Sequence, residues 1–119
     1  MKLRMQGNSL RLRLNRAEVT SLAETGRVEE VVQFGPDAAF RYILETTQEG
    51  DAPCALLLDG GVRVLVPETK AREWASTERV AISGEQTPLN ILVEKDFQCL
   101  HGESELDPEA FPNPLQIRD

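Results

Sequence analysis

Cysteine, aromatic residues and long apolar runs are all scarce in this sequence of 119 residues. Its two cysteines are too few for the disulfide framework of a small secreted domain. No apolar run approaches the roughly 20 residues that a membrane-spanning helix needs. Residues 1–15 also lack the uninterrupted apolar stretch of a secretory signal. We therefore expect a cytoplasmic protein that contacts no membrane.

Aromatic side chains make up 5% of the residues, so leucine and valine must supply most of the hydrophobic core. Hydrophobic residues (40%) and charged residues (28%) occur in the proportions of an ordinary globular protein. The length suits a single domain, 1–119. Five large side chains are the predicted anchors of its core: Phe34, Phe40, Tyr42, Trp74 and Phe97. Residues 102–119 are predicted to form an extended tail, because prolines disfavour helix there.

The formal net charge of −7 conceals an uneven distribution of charged residues. Residues 1–16 contain five basic residues and no acidic one, whereas residues 17–119 contain eight basic residues and all 20 acidic ones. The mean field of such a chain repels nucleic acid and anionic membranes, but a local basic face can still bind an anion. The net charge thus disfavours nucleic acid as a partner without excluding it.

Alternating polar and apolar residues at the start of the chain predict a hairpin. Residues 1–6 and 10–14 both alternate with a period of two, which is typical of half-buried strands. Residues 7–9, Gly-Asn-Ser, have the composition of a turn between them. Asn15 follows as a helix N-cap, and Glu18 lies three residues later, which completes a capping box.

The rest of the first half predicts one helix and two further strands. Gly26 is placed to end the helix in the left-handed conformation. Residues 27–34 and 40–45 have the valine content or the alternation of strands. Three apolar residues at helical spacing are predicted to face the core: Val19, Leu22 and Ala23.

The second half repeats this pattern at an offset of 52 residues. Residues 10–28 align without gaps on residues 62–80, with five of 19 positions identical. The apolar positions agree even where the identities differ, as in Leu22 and Trp74. The second half accordingly predicts a helix after Pro67 and strands at 55–58, 62–66, 80–83 and 89–94.

Two such repeats, at about 1–47 and 54–100, predict an α+β fold. A lone hairpin exposes an apolar face, and at least three strands are needed to bury it. Packing the halves together around a pseudo-two-fold axis would give a mainly antiparallel sheet, or a closed barrel, of about eight strands with two helices.

Three segments resemble a family of small bacterial proteins of unknown function. They are GNSLRLRL at residues 7–14 with the helix that follows, ILVEKDFQCL at 91–100, and FPNP at 111–114. The resemblance extends over nearly the whole chain. It implies membership of that family and no particular activity.

Each half is also similar to the swapped-hairpin domains of the AbrB and MazE type. The similarity is carried by residues 7–30 and by residues 60–82, including Val66-Pro67 before the second helix. In that family two such units, usually from two chains, form one barrel that binds DNA. The second half lacks the basic strand face, because Leu65 stands where the first half has Arg13.

Four basic residues alternate with apolar ones on the first two predicted strands, and we name them the basic hairpin face: Lys2, Arg4, Arg11 and Arg13. Three interpretations stay open. The face is an ordinary solvated surface of an antiparallel sheet, a binding site for an anion, or a set of partners for the protein's own acidic residues. The acidic residues considered for such pairing are Glu29, Glu30, Glu45 and Glu94.

Cys99 and His101 form a weak candidate metal site, because a strand would place both side chains on one face. Glu103 extends the same run, and thiolate with imidazole favours zinc. Zinc sites usually take paired ligands from two parts of the sequence, and the only further ligand here is Cys54. Buried thiols and an exposed histidine are the alternative, so we predict no bound metal and no cofactor.

The sequence favours a binding or regulatory module without catalytic activity, acting through an unknown protein or a small anionic ligand at the basic hairpin face. A homodimer is compatible with this hypothesis. A DNA-binding or antitoxin module is the alternative that the swapped-hairpin resemblance implies. A small metal- or phosphate-handling hydrolase is the third hypothesis, although the sequence contains no P-loop, G-x-S-x-G or G-x-G-x-x-G motif.

Overall fold

A computed structural model gives the structure of the protein, and it describes residues 1–97. Within them the order hairpin, helix, hairpin occurs twice. The first pass along the chain comprises β1 Lys2–Gln6, β2 Ser9–Leu14, α1 Arg16–Thr25, β3 Arg27–Gly35 and β4 Ala38–Thr47. The second comprises β5 Cys54–Leu58, β6 Gly61–Pro67, α2 Glu68–Ser76, β7 Ala81–Gln86 and β8 Leu89–Lys95.

The eight strands form two four-stranded sheets. Sheet I has the order β1-β2-β8-β7, and sheet II has the order β3-β4-β6-β5. In each sheet two antiparallel hairpins meet at a central parallel pair, which is β2 with β8 in sheet I and β4 with β6 in sheet II. The predicted α+β class and number of strands are confirmed. The closed barrel is wrong, and so is the single sheet, because the strands form two mixed sheets, in each of which two of the three pairings are antiparallel.

The two helical connections explain why there are two mixed sheets. Helix α1 leads from β2 in sheet I to β3 in sheet II, and α2 leads from β6 in sheet II back to β7 in sheet I. Each half therefore contributes one hairpin to each sheet. The hairpins that meet in a sheet come from different halves. In sheet I most of the chain separates β2 from β8, whereas in sheet II only residues 48–60, which include β5, separate β4 from β6. Both intervening segments are long enough for the parallel pairing that a tight turn cannot make.

Helix α1 begins and ends as its sequence predicts. The backbone N–H of Glu18 donates to Asn15 Oδ1 at 2.9 Å, and the backbone N–H of Asn15 donates to Glu18 Oε1 at 2.9 Å. Gly26 follows the helix with φ +81°, and its N–H donates to the carbonyl of Leu22 at 2.9 Å. The capping box and the left-handed end are therefore confirmed, and they satisfy backbone groups that a helix terminus otherwise leaves unpaired.

The core lies between the two sheets and the two helices, and leucine and valine dominate it. Trp74 on α2 is completely buried, and its indole N–H donates to the carbonyl of Val80 at 2.9 Å. The ammonium of Lys95 lies 5.9 Å from the centre of the same ring. The fully or almost fully buried side chains around it include Leu12, Leu14, Leu22, Leu44, Val64, Val66, Ile91 and Val93.

The predicted anchors and helical stripe are correct only in part. Trp74 is the central core residue, whereas Phe34 is 73% exposed and Phe97 is 63% exposed. Phe34 lies at the tip of the β3–β4 hairpin, which extends beyond β6 because the first residue of β6, Gly61, pairs with Arg41 well inside β4. The predicted stripe of α1 is also narrower than expected, since Ala23 is exposed.

Neither helix within residues 1–97 combines the length and the apolar composition that a membrane span requires. The predicted tail, 102–119, and the FPNP segment at 111–114 lie outside the described residues, as does the end of the second predicted repeat.

Replacing Gly61 with alanine tests whether the close approach of β4 and β6 requires a glycine. A Cβ atom at this position would lie 1.9 Å from the carbonyl oxygen of Arg41, which is a backbone atom and cannot move alone. We expect Gly61→Ala to lower the free energy of unfolding by about 1–3 kcal/mol, measured by urea unfolding. Gly35→Ala is the matched control, because a Cβ there meets nothing within 4 Å, and we expect a change within about 0.5 kcal/mol. Equal effects of the two substitutions would contradict the steric explanation.

Candidate functional site

The register of the β1–β2 hairpin brings the four predicted basic residues onto one surface. Lys2 pairs with Arg13 and Arg4 pairs with Arg11. Directly opposite residues of an antiparallel pair point to the same side of the sheet. The intervening leucines of β2 are buried on the opposite side: Leu10, Leu12 and Leu14. The basic hairpin face therefore occupies the outer surface of sheet I.

One carboxylate lies next to both arginines of β2. Strand β8 runs parallel to β2 with Glu94 beside Arg13, and Glu94 Oε1 lies 3.1 Å from the Nε of Arg13. The same oxygen lies 3.6 Å from the Nε of Arg11. The Glu94 side chain is 15% exposed and the two arginines are about 40% exposed (39% and 41%). Arg13 thus makes the charge-assisted hydrogen bond, and Arg11 is held at a longer distance.

The two basic residues of β1 have different surroundings. Lys2 Nζ lies 2.9 Å from Asp96 Oδ2, just after the end of β8. The hydrogen bond from Lys2 lowers the pKa of Asp96 below its usual value, and the positive charges of Lys2 and Arg13 act in the same direction. Arg4 is exposed and donates from Nη2 to Gln6 Oε1 at 2.9 Å. Four cations and two carboxylates therefore share this surface.

Only one of the four acids proposed as partners for the basic hairpin face contacts it. Glu94 does so, whereas the other three lie on β3 and β4 of sheet II and bind other cations. Glu29 binds Arg27 and Arg41, Glu45 binds Arg63, and Glu30 binds the N-terminal ammonium. Of the acids considered as examples of such partners, these three lie elsewhere, because β3 and β4 belong to sheet II, which the sequence does not reveal.

A shallow depression of about 570 Å³ adjoins the basic hairpin face on the outer surface of sheet I. It follows β2, β8 and β7, and Arg11 is the cation that lines it. Its other outward-pointing side chains are Ser9, Ser83, Glu85, Asn90 and Leu92. Sequence reasoning missed Ser83 and Asn90. The alternation of β8 places Asn90 on the same face as Glu94, but only the tertiary structure brings β8 beside β2.

A second cavity, of about 560 Å³, lies between the end of β2, the start of α1 and the end of α2. Leu14, Val19 and Ala75 supply apolar lining. The charged lining residues are two cations and two carboxylates: Arg16, Lys95, Glu78 and Asp96. Its lining carries both signs of charge and has no feature that selects one ligand.

The weak metal candidates are not brought together within the described residues. Cys54 is a free, half-buried thiol at the start of β5. Cys99, His101 and Glu103 lie outside the described residues. Among residues 1–97 no group of three or more His, Cys, Asp or Glu side chains is arranged to hold a metal ion.

A polar cluster that sequence reasoning missed surrounds the start of the chain. The N-terminal ammonium of Met1 contacts Glu18 and lies 2.9 Å from Glu30 Oε2, while the hydroxyl of Tyr42 donates to the Met1 carbonyl at 2.9 Å. Desolvation of the ammonium is outweighed by its bonds to both carboxylates, so its pKa is raised. Desolvation of Glu18 is likewise outweighed, and the pKa of Glu18 is lowered. The cluster ties α1 to both sheets.

Comparison with known proteins adds a family but no activity. A family model described as a family of unknown function, DUF7009, matches residues 1–115. The chain belongs to this family. The match confirms the membership that residues 7–14, 91–100 and 111–114 predicted. No curated protein and no solved structure matches the chain. The likeness of each half to swapped-hairpin domains stays a prediction.

Replacing Glu94 tests how its carboxylate neutralises the two arginines. We expect Glu94→Gln to lower the free energy of unfolding by about 1 kcal/mol at low salt, because Arg11 and Arg13 then repel each other without a shared anion. The loss should shrink at high salt, where exposed charges are screened. Urea unfolding at two salt concentrations measures both effects. Glu85→Gln, an exposed acid of β7 without an ion pair in residues 1–97, should change little; an equal loss there would contradict the assignment.

The cluster at the start of the chain predicts a pH dependence of stability. Glu18→Gln keeps a side chain that can complete the capping box but removes the charge. The folded pKa of Glu18 is lowered and that of the ammonium is raised. The free energy of unfolding of wild type should therefore exceed that of the variant by about 1 kcal/mol between about pH 5 and 8.

That difference should disappear at both extremes of pH. Below the usual pKa of glutamate, the wild-type advantage falls as Glu18 takes up a proton in the folded state. At alkaline pH it falls as the ammonium loses its proton. Urea unfolding across the pH range measures the difference, and a constant difference at every pH would show that the charges contribute nothing.

Proposed function

We propose that this protein is a binding or regulatory module without catalytic activity, and that its binding surface is the basic hairpin face together with the adjoining depression. The ligand is a small oxyanion or a carboxylate-bearing segment of a partner protein. The observation that carries the proposal is the position of Arg11. Its guanidinium lines the depression, and its nearest carboxylate oxygen, on Glu94, lies at 3.6 Å rather than at hydrogen-bonding distance.

The side chains around the depression support an anionic ligand. Arg11 supplies a planar set of N–H donors that suits carboxylate and phosphate groups. Ser83 and Asn90 add hydroxyl and amide donors along the same surface, whereas the hydroxyl of Ser9 already donates to the carbonyl of Gln6 at 2.8 Å. Glu85 on the far side limits how much negative charge the depression accepts. A compact anion near Arg11 can use these donors and stay away from the negative charge of Glu85.

Glu94 is an internal competitor for the same arginines. An anion that binds Arg11 meets the negative charge of Glu94 only a few ångströms away, so the wild-type affinity is reduced by that repulsion. Removing the charge of Glu94 releases both Arg11 and Arg13. The variant that slightly destabilises the protein should therefore bind anions better, which a purely structural role for these arginines does not predict.

Inorganic phosphate and a short polyglutamate peptide are the two probes, followed by amide chemical shifts of the full chain at low salt. We expect shifts on β2, β7 and β8. We expect Arg11→Gln to weaken binding about tenfold and Glu94→Gln to strengthen it several-fold. Glu45→Gln is the matched control, since Glu45 forms the corresponding ion pair with Arg63 on sheet II, and it should leave the affinity unchanged.

Three results would overturn this proposal. The first is that neither probe shifts the outer face of sheet I. The second is that Arg11→Gln binds both probes as wild type does. The third is salt-sensitive retardation of duplex DNA that is lost in the Arg11→Glu/Arg13→Glu double variant, which would instead favour the swapped-hairpin DNA-binding hypothesis.

We also infer that the chain arose by duplication of a hairpin–helix–hairpin unit. An exchange of the two halves maps the strand order of sheet I onto that of sheet II. The aligned apolar residues of β2 and β6 are buried in both halves: Leu10 and Val62, Leu12 and Val64, Leu14 and Val66. The ion pair between Arg11 and Glu94 has a counterpart between Arg63 and Glu45, where Arg63 aligns with Arg11. These correspondences support a duplication, with an offset of 52 residues between β2 and β6 and of 49 between Glu45 and Glu94.

A further inference from the structure

Strand β5 differs from every other edge strand in residues 1–97. Edge strands present unpaired backbone groups, and proteins protect them from association with charged side chains. In sheet I, β1 carries Lys2 and Arg4, and β7 carries Glu85. In sheet II, β3 carries Arg27 and two glutamates, whereas β5, with the sequence CALLL, carries no charge. This edge lacks the protection that the other three have.

The second half of β5 exposes three consecutive leucines. Leu56 is 43% exposed, Leu57 is 90% exposed and Leu58 is 36% exposed. Leu57 points to the same side of the sheet as the buried Ala55, because side chains alternate along a strand. It therefore continues the apolar inner surface of sheet II past the region that sheet I covers. A contiguous exposed apolar patch of this kind marks an interaction site.

Two residues of β5, Ala55 and Leu57, direct their backbone N–H and C=O groups away from β6. Only those of Ala55 have hydrogen-bond partners within residues 1–97. The side chain of Gln86 binds both backbone groups of Ala55, with distances of 2.7 Å to its N–H and 3.0 Å to its carbonyl. Strand geometry directs the N–H and C=O of Leu57 the same way as those of Ala55. No hydrogen bond from within residues 1–97 reaches them. One donor and one acceptor are therefore available beside the three leucines.

The charge around β5 suits a second copy of this chain. Two copies, each with a formal net charge of −7, can approach closely only where the local charge is neutral. The strand itself is uncharged, and Arg63, which lies opposite Leu56 on β6, is already neutralised by Glu45 at 2.9 Å. Outside the strand, the exposed Asp59 follows Leu58 directly, and antiparallel pairing centred on Leu57 would place it opposite Ala55, away from the other copy's Asp59.

We propose that β5 pairs with the β5 strand of a second copy, antiparallel and across a two-fold axis. Leu57 lies opposite the partner's Leu57, so that the N–H of each donates to the carbonyl of the other. Leu56 then lies opposite the partner's Leu58 on the outer surface. This pairing is self-complementary and closed, as a two-fold contact must be, and it leaves Gln86 in place on Ala55.

The size of this contact determines its strength. Three leucines and two hydrogen bonds from a five-residue strand fall short of the standard interface of about 1,600 Å². The dimer is therefore weak and depends on protein concentration. It leaves the outer surface of sheet I free, so it is independent of the anion-binding proposal.

Sedimentation of the full chain from about 1 µM to about 1 mM tests the pairing. We expect the mean mass of wild type to rise toward that of a dimer, and the exchange of the Leu57 amide proton to slow in parallel. Leu57→Lys should raise the dimer dissociation constant at least about 30-fold. Met5→Lys is the matched control, because Met5 is 58% exposed on the edge strand β1, and it should dimerise as wild type does.

Leu57→Lys should fold normally because the side chain is exposed, and its unfolding midpoint checks this. A wild type that stays monomeric at every concentration would overturn the proposal. If its Leu57 amide is nevertheless protected, another part of the same chain covers the edge. Equal dimerisation of wild type and Leu57→Lys would place the contact on a different surface. Growth beyond a dimer would show an open-ended association instead of a two-fold one.

Discussion

The parallel pairing of β2 with β8 and of β4 with β6 joins the two halves of the protein, and the other features of the fold depend on it. Each half supplies one hairpin to each sheet, and an isolated hairpin is at best marginally stable in water. Neither half can complete a sheet alone. The central pairs also bring Gly61 against the Arg41 carbonyl and Glu94 against Arg13, so the packing and the polar surface have one origin.

The outer surfaces of the two sheets carry the same arginine–glutamate interaction in different arrangements. On sheet II, Glu45 holds one arginine, Arg63. On sheet I, Glu94 lies beside two arginines, and one of them, Arg11, also lines the neighbouring depression. A fully paired charge contributes modest stability, whereas a cation that shares its carboxylate keeps capacity for another anion. The functional proposal depends on this asymmetry between otherwise similar surfaces.

Local patterns predicted the secondary structure closely. The alternation of β1 and β2, the Asn15–Glu18 capping box and the left-handed Gly26 depend on neighbouring residues only, and all are present. The prediction failed where distant strands decide. Phe34 was expected in the core, but the β3–β4 hairpin extends past β6 and exposes it. The acid next to the basic hairpin face could not be selected from four candidates, because only the β2–β8 pairing brings Glu94 there.

The sequence by itself determined where the strands and helices lie, that the core is built of leucine and valine around Trp74, and that four cations share one hairpin surface. These follow from periodicity, capping and composition, which act over a few residues. The tertiary structure alone decided that the strands divide into two sheets, which carboxylates meet the cations, and which edge strand stays uncovered by the rest of residues 1–97. Those outcomes depend on contacts between residues about 80 positions apart, such as Arg13 and Glu94, and no local pattern encodes which strands become neighbours.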